Sequence, residues 1–205
     1  MIADRKIPLE LVRLGKRKAF LRNANIYKLN SSPLSCYFIL AGTAKIYIDH
    51  KNGKRSILDF AKEGDWIGEL SLFCGETDYK ENQVLQDIEC YEFNIVELSE
   101  LCRENASISF YFASYISNKL LARSYRMSES LNYAVSKRLA SFILEYHQNG
   151  TYAMPHTDVS EYLNVSYRHV LHVMKQFCET KILRKEKRKG YVISDLEKLK
   201  ELIEQ

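Results

Sequence analysis

The 205-residue chain has no run of about 18 apolar residues, so no membrane-spanning helix is expected. Its opening stretch, MIADRKIPLELVRLGKRK, lacks the apolar core of a secretory leader. The two absences together predict a cytoplasmic protein with no membrane partner. Cysteines number five, an odd count, widely spaced and without a CxxC pair. Neither a disulfide framework nor a zinc ribbon fits that pattern, and most of the thiols are read as small buried hydrophobes. No HxH pair, nucleophile elbow or glycine-rich phosphate loop occurs. A cupin-type metal enzyme would need several histidines and a carboxylate on one ion, yet His50 is the one histidine in the strand-rich part. Neither an enzyme nor a metal site is expected.

What is present reads in three parts. The hydrophobic share, 46%, suits a packed core, and the net charge of +4 is mild until it is located. Residues 17–95 carry short β-branched and aromatic runs: CYFIL, AKIYID, RSILDF, QVLQ and ECYEF. Asn52-Gly53 lies between two of them and predicts a hairpin with a type I′ turn, which needs two residues at positive φ. Glu63-Gly64-Asp65 marks a further turn. Strands this closely spaced predict a small sandwich or barrel.

From residue 96 the pattern becomes helical. Leu98 to Arg103 reads as a short lead-in. Ala106 to Leu131 holds no Gly or Pro, and Phe112 or Ala113, Ile116, Leu120, Met127 and Leu131 fall on one helical face. Such a helix reaches about 40 Å, long for one small domain. A second, identical helix beside it is expected, which predicts a dimer; the alternative is one helix packed along the strands. A further helix near Ala134 to Tyr146 is ended by Asn149-Gly150.

The segment TDVSEYLNVSYRHVLHVMKQF, Thr157 to Phe177, carries the most specific pattern. Thr157 can cap a first helix, whose Val159 and Leu163 share a face. Ser160 is small enough for a close helix crossing. Asn164 suits a left-handed turn, Val165 plugs the corner and Ser166 caps a second helix. Val170, Val173, Met174 and Phe177 form that helix's buried face, and Tyr167, Arg168, Leu171, His172 and Lys175 point outward. This is a helix-turn-helix whose second helix reads a DNA groove. Arg168 can donate twice to guanine O6 and N7, and Tyr167 and His172 can meet bases or phosphates. Ser166, His169 and Lys175 complete the helix's candidate DNA set. Residues 166–190 hold eight Lys or Arg against two Asp or Glu, an excess of six. Much of it lies between Ile182-Leu183 and Tyr191-Val192-Ile193, which read as a hairpin. Lys187, Arg188 and Lys189 at its tip are expected to contact phosphates, together with Arg184 and Lys185. Asp195 caps a last helix, LEKLKELIEQ.

The order of roll, long helix and winged helix-turn-helix resembles the Crp/Fnr superfamily of bacterial transcription regulators. GDWIGELSLF, Gly64 to Phe73, resembles its signature at the end of the roll, and TDVSEYLNVSYRHVLHV its DNA-binding element. The resemblance implies an α+β chain with a double-stranded β-helix (jelly-roll) sensor domain at 1–104 and a dimerisation helix at 105–132. A winged helix-turn-helix at 133–205 follows. Ala113, Ile116, Leu120 and Met127 are then the dimer residues. It also implies a homodimer, double-stranded DNA with inverted-repeat half-sites, and RNA polymerase as partner of an activator.

In the cAMP-binding branch a Gly and Glu hold the ribose, and an Arg-Ser pair holds the cyclic phosphate. Gly68 and Glu69 match the first pair. Lys80 and Glu81 fall at the place of the second, and Ser124 near the adenine contacts on the long helix. Glu76, Asp78 and Glu81 make that loop negative, and Lys lacks the fork of Arg. Little cyclic-nucleotide binding is expected, and Glu69 is read as a structural residue. The oxygen-sensing branch holds an iron–sulfur cluster on a close N-terminal cysteine group. No cysteine precedes Cys36 here, so that cluster and other cofactors are not expected. Thiol control through Cys74, Cys102 or Cys178, a less regular cluster and an RNA-binding role stay open.

Overall fold

A computed structural model describes residues 7–27, 34–74, 80–186 and 190–204. The chain divides into two compact units, 1–118 and 119–205. The first begins with a short helix, α1 (Leu9–Leu14), and strand β1 (Lys16–Phe20). Two long strands dominate it: β2 (Ser35–Asp49) and β5 (Glu81–Asn94). Between them come β3 (Arg55–Lys62), β4 (Trp66–Ile67) and a 3-10 turn at Glu69–Leu72. All pairings are antiparallel, in the order β1-β5-β2-β3, with β4 joined to β2. The runs CYFIL and AKIYID are therefore one strand, as are QVLQ and ECYEF. Register shifts after Ile39, Ala41 and Thr43 bend the β2–β5 pair, and bulges of this kind curve a sheet into a roll.

Alternation along β2 divides the core in two. Tyr37 and Ile39 point into the roll with Ile46, Ile67, Val84 and Ile88. Cys36 and Phe38 point the other way, onto Trp66, Phe93 and the helical layer. That layer contains α2 (Ile95–Glu104), capped by the Asn94 side chain, and the start of α3 (Ala106–Asn132). Asn105 caps α3 in the same manner.

The hairpin turn at Asn52-Gly53 forms, but not as type I′. Gly53 has φ 79° while Asn52 stays out of the positive region, and Gly53 N donates to His50 O at 2.9 Å. The extra residue of this three-residue loop is absorbed at the glycine alone. The tight turn with two positive φ values is at Asn149 (49°) and Gly150 (77°). It joins Gln148 to Thr151 through two backbone hydrogen bonds. Asn149-Gly150 is thus not the helix stop: α4 (Val135–Tyr146) ends earlier, with His147 as its extended cap.

The second unit continues with β6 (Thr151–Tyr152), α5 (His156–Leu163), α6 (Tyr167–Glu179), β7 (Leu183–Glu186), β8 (Gly190–Ile193) and α7 (Leu196–Glu204). The strands form a sheet in the order β6-β8-β7, so the expected hairpin gains a third strand. Asp195 caps α7 by accepting from Lys198 N.

Candidate nucleic-acid interface

Each position of the α5–turn–α6 segment has a local cause. Asn164 adopts φ 52°, ψ 50°, and Val165 N donates to Ser160 O at 3.0 Å. The turn is braced from α4: the Arg138 guanidinium donates to Leu163 O at 2.8 Å. Ser166 sits in extended backbone, and its Oγ accepts from His169 N at 3.2 Å. Ser160 is buried and donates to Thr157 O. Thr157 itself is not the cap expected of it. Helix α5 starts at His156 after Pro155, with no side-chain cap. Pro155, its φ fixed near −59°, takes the cap position, so the helix begins two residues earlier than a Thr157 cap would place it and Thr157 lies inside it.

Asn164→Val is expected to lower the urea midpoint, because a β-branched residue in the left-handed region is strained by about 1–3 kcal/mol. Asn164→Gly should stay within about 0.5 kcal/mol of the parent. Equal midpoints for both variants would remove the left-handed turn from the account.

Helix α6 separates its faces sharply. Val170, Val173, Met174 and Phe177 are buried. Tyr167, Arg168, His169, Leu171, His172 and Lys175 are exposed, as is Ser166 before them. Among the described residues no ion pair holds Arg168. Lys175 lies 3.5 Å from Glu179, and Arg184 3.0 Å from Glu186. Exposed pairs of this kind are weak, so both cations can exchange their carboxylates for phosphates. Lys185 is exposed on β7. Lys187, Arg188 and Lys189 lie outside the described residues.

His156 was not singled out from the sequence. Its ring lies 5.6 Å from that of Tyr191 and 6.4 Å from that of Tyr167. Burial and then the Lys185 ammonium hold its pKa below the ordinary imidazole value. A proline-led helix start next to the outward helix is the signal that could have marked it. Arg126 of α3 donates to the Tyr162 hydroxyl of α5 at 2.6 Å and was missed for another reason. Its partner is distant in sequence and no periodicity points to it.

In the roll, Gly68 takes φ 88° ahead of the 3-10 turn. The Tyr27 hydroxyl fills the space where any Cβ would stand. That hydroxyl donates to Ser35 O at 2.7 Å and lies 3.2 Å from Ile67 O. Glu69 is 3% exposed. Lys80 and Glu81 stand at the start of β5, half-buried. Segment 25–27 links the two places, since Ile26 N also donates to Asn82 O. Glu81 accepts from the Tyr47 hydroxyl at 2.8 Å. Burial first, and then this carboxylate, push the Tyr47 phenol up to about 12. An acidic acceptor with a phenol already donating to it does not fit a phosphate. Glu76 and Asp78 lie outside the described residues. Ser124 belongs to the second unit, exposed on α3, with Oγ donating to Leu120 O.

The family model for the cyclic nucleotide-binding domain matches residues 17–105, and that for the Crp-like helix-turn-helix domain matches 137–202. Together they take up well over half of the chain. The chain belongs to the Crp/Fnr family of transcription regulators. Among its relatives, regulatory protein YeiL of Escherichia coli O157:H7 is 28% identical over 180 residues, 88% of this chain and 82% of that protein. The cAMP-activated global transcriptional regulator Vfr of Pseudomonas aeruginosa is 25% identical over 146 residues, 69% of this chain and 68% of its own. The fold is that of FixK2 from Bradyrhizobium japonicum, with TM-score 0.79 at 18% identity, covering 92% of this chain and 96% of that one. The Crp/Fnr signature GDWIGEL is held by α3. Trp66 donates from its backbone N to the Tyr115 hydroxyl (2.9 Å) and from Nε1 to the Tyr111 hydroxyl (3.0 Å). Its ring packs between Phe93 and Phe112.

Beyond Phe112, which is fully buried, this helix turns apolar residues outward. Ala113 is exposed and Ile116 half-buried, while Leu120, Met127 and Leu131 are 65%, 69% and 77% exposed. Of the Crp/Fnr chain's thiols, Cys36, Cys90 and Cys102 are buried, Cys178 is half-buried and Cys74 is exposed. Burial raises the pKa of Cys102 and Cys178. Among the described residues no group of three or more His, Cys, Asp or Glu side chains could hold a metal ion, and no helix is long and apolar enough to cross a membrane.

Proposed function

We propose that this regulator acts as a homodimer on an inverted-repeat operator and does not require cAMP. The observation that carries the reading is the exposed face of α6, where Arg168, His172 and Lys175 stand opposite a fully apolar buried face. Arg168, Tyr167, His169 and His172 read bases or approach them. Ser166, Lys175 and the wing cations at 184–189 contact phosphates. Residues 1–104 act as sensor, 105–132 as dimer helix and 133–205 as DNA reader. RNA polymerase is the partner if the regulator activates.

Dimer formation is supported by Ala113, Leu120 and Met127, which recur every seven residues on the exposed side of α3. That spacing is the seam of a two-stranded coiled coil. Independence from cAMP is supported by Glu81 and its Tyr47 partner at the place where the phosphate would bind. No cofactor is proposed. Selection from a random duplex library by the reduced, ligand-free protein should enrich an inverted repeat. Its half-sites should be about 10 base pairs apart, centre to centre. Enrichment only on adding cAMP would overturn independence, and enrichment only on oxidation would favour thiol control. No enrichment under any of these conditions would overturn DNA readout.

A further inference from the structure

The outward face of α6 contains one residue that cannot make a hydrogen bond. Leu171 is 38% exposed, whereas the helix's other aliphatic side chains, Val170, Val173 and Met174, are at most 3% exposed. At about 100° per residue, Leu171 lies within roughly 60° of Tyr167, Arg168 and Lys175. It is therefore surrounded by the residues proposed to meet DNA. It is not part of the helix's buried face, which consists of Val170, Val173, Met174 and Phe177.

We propose that Leu171 is a specificity-determining residue that takes the 5-methyl group of a thymine in the major groove. The inference rests on the DNA-binding reading above and adds a ligand group to it. A leucine cannot pair with guanine O6 and N7, adenine N6 or cytosine N4. The apolar feature that a base pair offers in the major groove is the thymine methyl. Placed there, an isobutyl group excludes water from the methyl and would leave the two acceptors and the donor of a G·C edge unsatisfied. Three residues advance about 4.5 Å along a helix, close to one base-pair step. The thymine therefore lies within about two base pairs of the pair that depends on Arg168.

The test uses the full-length protein and its selected operator. Each thymine of one half-site is replaced in turn by 2′-deoxyuridine, which removes one methyl and leaves the pairing intact. The parent protein should lose about three- to fivefold in affinity at one such position, the effect of one buried methyl. Leu171→Ala should bind the thymine operator more weakly and show no penalty for uridine there, while keeping its dependence on Arg168. The substitution is on the surface, and an unchanged thermal midpoint confirms folding. An operator without thymine near the Arg168-dependent pair would overturn the proposal. So would a parent insensitive to uridine, or a Leu171→Ala variant with the full uridine penalty. Those results leave DNA readout standing. Failure to select any duplex removes both.

Discussion

Leu120→Glu is expected to sediment as a monomer and to lose about 100-fold or more in operator affinity. Leu120 is the middle member of the seven-residue series Ala113, Leu120, Met127, and 65% of it is exposed. In the proposed dimer each copy would face its mate across the two-fold axis. A carboxylate there meets another carboxylate in an apolar seam, and the pair is uncompensated. Loss of the dimer also removes the second half-site contact, whose contribution to avidity is about 10² to 10⁴. Ala122→Glu makes a good control. It changes the same charge on the same helix, about 200° round from the seam, and should remain dimeric. An unchanged sedimentation coefficient for Leu120→Glu, with operator binding intact, would remove α3 as the dimer element.

Arg168→Ala should cost about 1–3 kcal/mol and relax preference at one position per half-site. Among the described residues no carboxylate competes for the Arg168 guanidinium. Its fork can therefore meet guanine without breaking an intramolecular pair. Lys185→Ala should behave differently, weakening all sequences alike and lowering the slope of log affinity against log salt by about one. A site library read with both variants separates the roles. Equal preference for every base by the parent and Arg168→Ala would end the assignment of readout to this residue.

The two halves of the chain were not equally legible. The helix-turn-helix could be read because each of its determinants is local. The left-handed Asn164, the Ser166 cap and the three-and-four spacing of Val170, Val173, Met174 and Phe177 all lie within 14 residues. Thr157 is the exception, displaced from its capping role by Pro155. The roll was legible only as a class. Its strands β2 and β5 carry bulges that interrupt the alternation, so each was seen as separate short pieces. The two Asn-Gly pairs show how little a dipeptide fixes alone. The tighter turn formed at Asn149-Gly150, where its neighbours pair directly, and a looser one formed at Asn52-Gly53. Contacts of Trp66 with Tyr111 and Tyr115 cross more than 40 residues of sequence, and no periodicity announces them. The Tyr47–Glu81 bond could not be foreseen either, although the acidic residue at that place already spoke against a phosphate.

The clean division of α6 into a buried and an exposed face has an evolutionary consequence. Substitutions at exposed positions away from caps and pairs change stability by about 0.5 kcal/mol or less. A gene duplicate could therefore exchange residues 168, 171 and 172 in almost any order without passing through an unfolded intermediate. If these residues read bases as proposed, each exchange would alter the operator preference of the daughter protein. A lineage built on this scaffold can thus rewire which genes it governs while inheriting its fold intact.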